Sequence, residues 1–224
     1  MPSQTLKILI MSLTEELAKR KKNSSEKLAG ERWDIMSRST QQLKDQKLSE
    51  SALSEGDDII GFNLPDIHGE NVSLDKILSN GHAVISFYRG GWCPYCNMEL
   101  RALQKILPQI KEAAANLVAI SPETPDNSLT TSEKNELTFP ILSDIDNQYA
   151  KSLGLVFQMP AELQELYKSF NLDVKKHNGN DDYELPMPAT YVVNKSGKII
   201  KAFVPEDYTE RLDPEEILNA LQNL

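Results

Sequence analysis

A chain of 224 residues with 40% hydrophobic and 25% charged side chains has ordinary globular composition, long enough for one full domain plus an extension. Its net charge of −9 excludes the basic footprint that nucleic-acid binding needs, and no apolar run approaches a membrane span. The charge is uneven: residues 1–50 hold ten Lys and Arg against seven Asp and Glu, the remainder fourteen against twenty-six.

In chain order, Leu6, Leu9, Ile10, Leu13 and Leu17 predict an amphipathic helix over residues 4–20. The stretch Leu6–Leu13 is too short for a membrane span and no small-residue cleavage pattern follows it, so no secretory signal is expected and the protein is placed in the cytoplasm. A basic run, Lys19 to Lys22, leads to Asn23-Ser24-Ser25, which reads as a helix break, with Ser24 or Ser25 capping a second helix. That helix presents Leu28, Ile35, Met36 and Leu43, with Trp33 nearby. Polar residues then run to Gly56-Asp57, the expected boundary between a helical extension, residues 1–55, and an α/β domain, residues 56–224. The extension's apolar stripes need a partner, either the sheet of the same chain or a second copy in a homodimer.

From Gly56 onward short strands and helices alternate, the signature of an α/β sheet. Ala83 to Tyr88 reads as a buried central strand, Asn97 to Leu107 as a helix, and Leu117 to Ile120 as a second buried strand. Phe139 to Leu142, a short helix near Asn147–Ser152, and a helix over Ala161–Phe170 follow. After a polar loop from Lys175 to Glu184, Thr190 to Val204 forms a hairpin, and Pro214 opens a final helix.

Only two cysteines occur, three residues apart. Such a close pair shuts almost no loop, so a structural disulfide explains it poorly and redox or metal chemistry explains it better. Zinc would need two more ligands, and His68, His82 and His177 are scattered singly, so no metal and no cofactor are expected. His177 reads as a surface residue.

The order of elements around the pair points to chemistry. A strand ends at Tyr88, Gly90-Gly91 turns the chain, and Trp92-Cys93-Pro94-Tyr95-Cys96 opens a helix. Pro94 suits a first helical position, because its missing N–H would be unpaired there anyway. Cys93 then sits at the N-cap, where free amides and the positive helix end favour thiolate. Lowering a thiol from about 8.5 to about 6 raises the thiolate at pH 7 roughly thirty-fold. Cys96, one turn in, comes within bridging distance and resolves the intermediate. Arg89 is placed to add positive charge beside Cys93. Tyr88 and Trp92 are candidate walls, although core packing is the commoner role of an aromatic beside a buried strand, and Tyr95 is expected at the surface. Glu99 reads as a solvated helix carboxylate, with a proton relay as the alternative.

The motif Trp92-Cys93-x-x-Cys96 after a strand resembles thioredoxin, and Cys93-Pro94-Tyr95-Cys96 is similar to the glutaredoxin quartet. Met187-Pro188-Ala189-Thr190 resembles the loop that carries the cis-proline of thioredoxin folds, which implies a cis Pro188 facing the active cysteine. Over residues 56–224 the chain resembles the peroxiredoxins of the alkyl hydroperoxide reductase / thiol-specific antioxidant family. The pieces that carry this are Gly56-Asp57, Phe62 to Asp66, Gly69 to Leu74, Phe87-Tyr88, Leu142-Ser143-Asp144 and Ala150–Gly154. The segment Phe87 to Cys96 is similar to a bacterial peroxiredoxin-like subgroup. The resemblance implies a thioredoxin-like fold, a central mixed sheet flanked by helices. It also implies a thiol peroxidase: Cys93 attacks hydrogen peroxide or an organic hydroperoxide, and a thioredoxin- or glutaredoxin-type reductant restores the Cys93–Cys96 disulfide. Two positions depart from the family. Peroxiredoxins carry Pro-x-x-x-Thr-x-x-Cys, where this chain has Ser86 and Gly90, and an arginine where it has Pro188. Dithiol–disulfide exchange on a protein docked beside Pro188 is therefore the alternative activity.

Overall fold

The computed structural model describes residues 11–224, so Leu6, Leu9 and Ile10 of the first expected helix lie outside the described residues. Helix α1 (Leu13–Lys27) starts at a capping box in which Ser12 Oγ accepts from the Glu15 N–H and the Glu15 carboxylate accepts from the Ser12 N–H. The expected break at Asn23-Ser24-Ser25 is corrected, because α1 runs through it. Ser25 Oγ donates to the Lys22 carbonyl inside the helix at 2.8 Å, and neither serine caps anything. Gly30 makes the break instead: its φ of +87°, open to glycine, reverses the chain and places it at the N-cap of α2 (Glu31–Asp45).

Strands β1 (Asn63–Pro65) and β2 (Asn71–Ser73) form an antiparallel hairpin, and Ser73 caps α3 (Leu74–Asn80). An alternating run follows: β3 (His82–Phe87), α4 (Pro94–Glu112), β4 (Ala115–Ser121), α5 (Pro125–Lys134) and β5 (Ile141–Ser143). The chain then makes α6 (Gln148–Ser152), β6 (Val156–Gln158), α7 (Ala161–Ser169), α8 (Val174–Asn178) and β7 (Glu184–Pro186). It closes with β8 (Ala189–Val193), β9 (Ile199–Phe203) and α9 (Pro214–Gln222). Part of the expected polar loop is thus α8, which Asp173 caps by accepting from the Lys176 N–H at 3.2 Å.

The main sheet has the order β5-β4-β3-β8-β9. Strand β3 lies at its centre, parallel to β4 and antiparallel to β8. Its side chains alternate. Val84 and the following Tyr88 pack with Leu100, Leu103 and Leu107 of α4 on one face, whereas Ala83, Ile85 and Phe87 meet Leu74 and Ile77 of α3 on the other. Both faces are covered, which is why the strand reads as a continuous apolar run.

The N-terminal helices lie on the body of the same chain. Leu13 and Leu17 of α1 join the core under α4 and α9, and α2 lies on α7. Asp207 fastens this arm, accepting from Lys21 Nζ at 2.7 Å with Lys44 Nζ at 3.7 Å. Among the described residues, Leu13, Leu17 and Leu43 of the arm are buried against the same chain.

Candidate active site

Tyr88 is the last residue of the buried run, and the chain must then turn sharply to start α4. Gly90 has φ +148°, and a Cβ there would stand 2.3 Å from Trp92 Nε1. A Cβ on Gly91 would stand 1.9 Å from Thr131 Oγ1. The turn is pinned from outside: Glu123, buried, accepts the Gly91 N–H at 2.9 Å and the Thr131 hydroxyl at 3.3 Å, and its other oxygen meets His177 Nδ1 at 2.9 Å. His177 therefore holds this turn from a partly exposed position. Asn97 Nδ2 donates to the Gly91 carbonyl at 2.7 Å from within α4.

Cys93 takes the N-cap position of α4, and Pro94 follows in its first turn. Both cysteines are free thiols and fully buried. The Cys93 side chain accepts no capping bond from the helix amides. Its sulfur instead accepts from Arg89 Nη2 at 3.3 Å. Arg89, also buried, is sandwiched by aromatic rings, its Cζ 4.3 Å from the centroid of Tyr208 and 5.1 Å from that of Trp92, and it donates to the Tyr167 hydroxyl at 3.3 Å. Burial alone would raise the Cys93 thiol. The hydrogen bond from Cys96 and the charges of Arg89 and Arg211 outweigh it and hold Cys93 well below the usual cysteine range. Burial pushes the Cys96 thiol up, and the hydrogen bond and negative charge at Cys93 push it further.

The structure brings Cys93, Cys96, Arg89 and Trp92 together, with Pro94 half-buried beside them. Trp92 stands edge-on to Tyr167, whereas Tyr88 lies in the core beneath the site. Tyr95 corrects an expectation: it is buried, its ring edge-on to Tyr208 and its hydroxyl 3.4 Å from Ser24 Oγ, because α1 lies over it. Glu99 corrects another, being buried and ion-paired to Arg211. Pro188 is buried between β7 and β8, lining a cavity with Arg89, Tyr167 and Tyr208. The expected cis bond is absent, since no peptide among the described residues is cis. Residues 184–193 run nearly continuously extended, a course that suits the residue before a trans proline.

Sequence reading missed Arg211, Tyr167, Tyr208 and Glu123. A cleft of about 390 Å³ leads to the site, lined by Trp92, Pro94, Tyr95 and Arg89 with Leu28 and Phe170. Among the described residues no group of three His, Cys, Asp or Glu is arranged to hold a metal, and no helix is long and apolar enough to cross a membrane.

Residues 56–202 match the family model described as AhpC/TSA family. Over 150 residues the chain is 29% identical to putative peroxiredoxin Rv2521 of Mycobacterium tuberculosis, covering 67% of this chain and 84% of that one. It is 30% identical over 103 residues to peroxiredoxin Bcp of Escherichia coli, covering 46% and 65%. The crystal structure of peroxidoxin BcpB from Mycobacterium tuberculosis superposes with a TM-score of 0.61 at 20% identity, covering 77% of this chain and 98% of that one. That likeness shows the fold to be thioredoxin-like.

Proposed function

The chain belongs to the AhpC/TSA family of thiol peroxidases, and from that premise we propose that Cys93 is the cysteine that attacks peroxide and Cys96 the one that resolves it. The observation that carries the assignment is the buried Arg89 guanidinium donating to Cys93 Sγ. A charge-assisted bond from a fixed cation stabilises the thiolate, and the same cation faces the charge that develops on peroxide oxygen. Arg89 Nε and Trp92 Nε1 are buried donors without a hydrogen-bond partner among the described residues. Both belong to residues of the site, in a chain that lacks the usual hydroxyl at Gly90 and the usual arginine at Pro188.

In the reaction, the Cys93 thiolate attacks one peroxide oxygen and the O–O bond breaks. Water or an alcohol leaves, and Cys93 becomes a sulfenic acid. Cys96 condenses with it, releasing water and closing a disulfide. A thioredoxin-type dithiol then returns both sulfurs to thiols. A glutaredoxin-type reductant fills the same role by the same exchange, and such a cycle suits the reducing cytoplasm. Residues 56–224 are the catalytic unit in this reading and residues 1–55 the extension, whose helices α1 and α2 lie against it.

The family match favours this activity over exchange with a docked protein disulfide. Peroxide consumption driven by a dithiol reductant tests the assignment. Wild-type protein must turn over, and equal turnover by Cys93→Ser protein removes it.

A further inference from the structure

Cys93 has an arginine of its own, and so does Cys96. Arg211 Nη2 donates to Cys96 Sγ at 3.1 Å from the segment between β9 and α9. Every edge of this guanidinium is engaged. Nη1 donates to the carbonyl oxygens of Tyr208 at 2.9 Å and Glu210 at 2.6 Å, and Nε donates to Glu99 Oε2. The other Glu99 oxygen accepts the hydroxyls of Ser86 at 3.3 Å and Thr190 at 3.4 Å. Ser86 and Thr190 face each other across the β3–β8 register, so the sheet floor under α4 aims two hydroxyls at one carboxylate. All of these side chains are buried. A buried ion pair is a weak device for stability, because apolar side chains of similar volume often hold a core as well or better. Four buried polar side chains arranged behind one sulfur therefore call for a chemical reason.

We propose that Arg211 is a second catalytic arginine that serves the resolving step, carrying the negative charge on Cys96 while Glu99, held by Ser86 and Thr190, acts as the positioning residue that aims it. The proposal rests on the reading of Cys93 as the sulfur that peroxide oxidises.

The two arginines divide the reaction. Before oxidation the charge sits on Cys93, and that charge, together with burial, keeps Cys96 protonated. The other ionisable groups facing Cys96 are Arg89, Arg211, Tyr88 and Tyr167. Oxidation turns Cys93 into a neutral sulfenic acid, so the repulsion disappears while Arg211 stays in place. Cys96 then gives up its proton and its electron pair attacks the Cys93 sulfur. The S–S bond forms, the S–O bond breaks, and the hydroxide departs with the released proton as water. No outside oxidant or reductant enters this step.

Rapid mixing of reduced protein with hydrogen peroxide tests this, with a sulfenic-acid reagent reading the first step and disulfide mass the second. The double variant Arg211→Met/Glu99→Gln removes both charges together, so neither is left buried and alone. Disulfide closure is expected to slow by at least about tenfold while sulfenic-acid formation slows less than about threefold, so the sulfenic acid accumulates. Unchanged closure, or equal slowing of both steps, overturns the proposal. Should the double variant fail to fold, Glu99→Gln alone, which keeps the arginine but loosens its aim, must slow closure more than sulfenic-acid formation; equal effects overturn the proposal.

An independent readout is the pH at which Cys96 becomes alkylatable in Cys93→Ser protein. Adding Arg211→Gln must move it upward by about one unit, a tenfold change in thiolate fraction, which a merely structural contact would not do. No movement overturns the proposal. This second measurement involves no peroxide, so it still decides the role of Arg211 if no sulfenic acid forms at Cys93, a result that would instead remove the proposed function.

Discussion

Arg89 Nη2 lies 3.3 Å from Cys93 Sγ, and the guanidinium is clamped over the ring of Tyr208 at 4.3 Å from its centroid. A cation held this firmly loses little order when charge shifts from sulfur to peroxide oxygen, which is the condition for electrostatic catalysis. Replacing Arg89 by Met is expected to slow peroxide attack by about 10²-fold, in the range found for removing one preorganised donor. Arg89→Lys should recover only part, since a point charge cannot bond Cys93 and Tyr167 together as the planar fork does. The second-order rate constant for sulfenic-acid formation checks this, and an unchanged rate in Arg89→Met removes the role.

The pH dependence follows from the depressed Cys93 thiol. Burial opposes ionisation there, but the Cys96 hydrogen bond and the Arg89 and Arg211 charges win, so the folded value lies below the unfolded one of about 8.5. The stabilisation from this thiolate is then fully present above about pH 8.5 and is lost as pH falls through the folded value. Alkylation of Cys93 should accordingly be level between about pH 8 and 9 and decline as pH falls through the lowered folded value. A rate that still climbs between pH 8 and 9 contradicts the assignment.

Asp207 ties the N-terminal arm to the body. Burial works against its charge, but the Lys21 and Thr209 bonds prevail and hold its carboxyl below the ordinary carboxylate range. The resulting stabilisation is present above the unfolded value of about 3.9 and disappears as pH falls through the folded one. Asp207→Asn should cost about 1–2 kcal/mol. Hydrogen exchange should show the loss concentrated in α1 and α2, with α4 protected as in wild type. Uniform loss across the chain would mean that Asp207 serves the whole core.

Gly91 has no room for a side chain, because Thr131 Oγ1 stands 1.9 Å from where its Cβ would be. Gly91→Ala must therefore displace α5 or the cysteine turn, at a cost of about 1–3 kcal/mol as for other overpacked sites. The urea midpoint measures it, and wild-type stability would show that the turn gives way freely.

Much of the site was legible because its logic is local. An apolar run, two glycines and a Cys-Pro pair fix a strand, a turn and an N-cap without help from the rest of the chain, and Arg89 is close enough in sequence to be noticed. Arg211 was not legible, since nothing near it announces a sulfur that lies 115 residues back along the chain. The same distance hid the burial of Glu99, whose place three residues after Cys96 fits any solvated helix position until Arg211 closes over it. Tyr95 reads as exposed because the sequence does not say that α1 folds back across α4. The arm's break was misplaced because Ser24 and Ser25 look like caps, whereas the turn needs the positive φ that Gly30 supplies. The helix amides were expected to hold the Cys93 charge, and the structure shows two arginines reaching the pair instead.

The measurement closest to the central claim is covalent trapping of oxidised sulfur in Cys96→Ser protein exposed to one equivalent of hydrogen peroxide. With the resolving thiol removed, a single sulfenic acid is expected on Cys93, formed at the rate of peroxide loss. Peroxide consumed with Cys93 still a thiol, or no peroxide consumed at all, would contradict it.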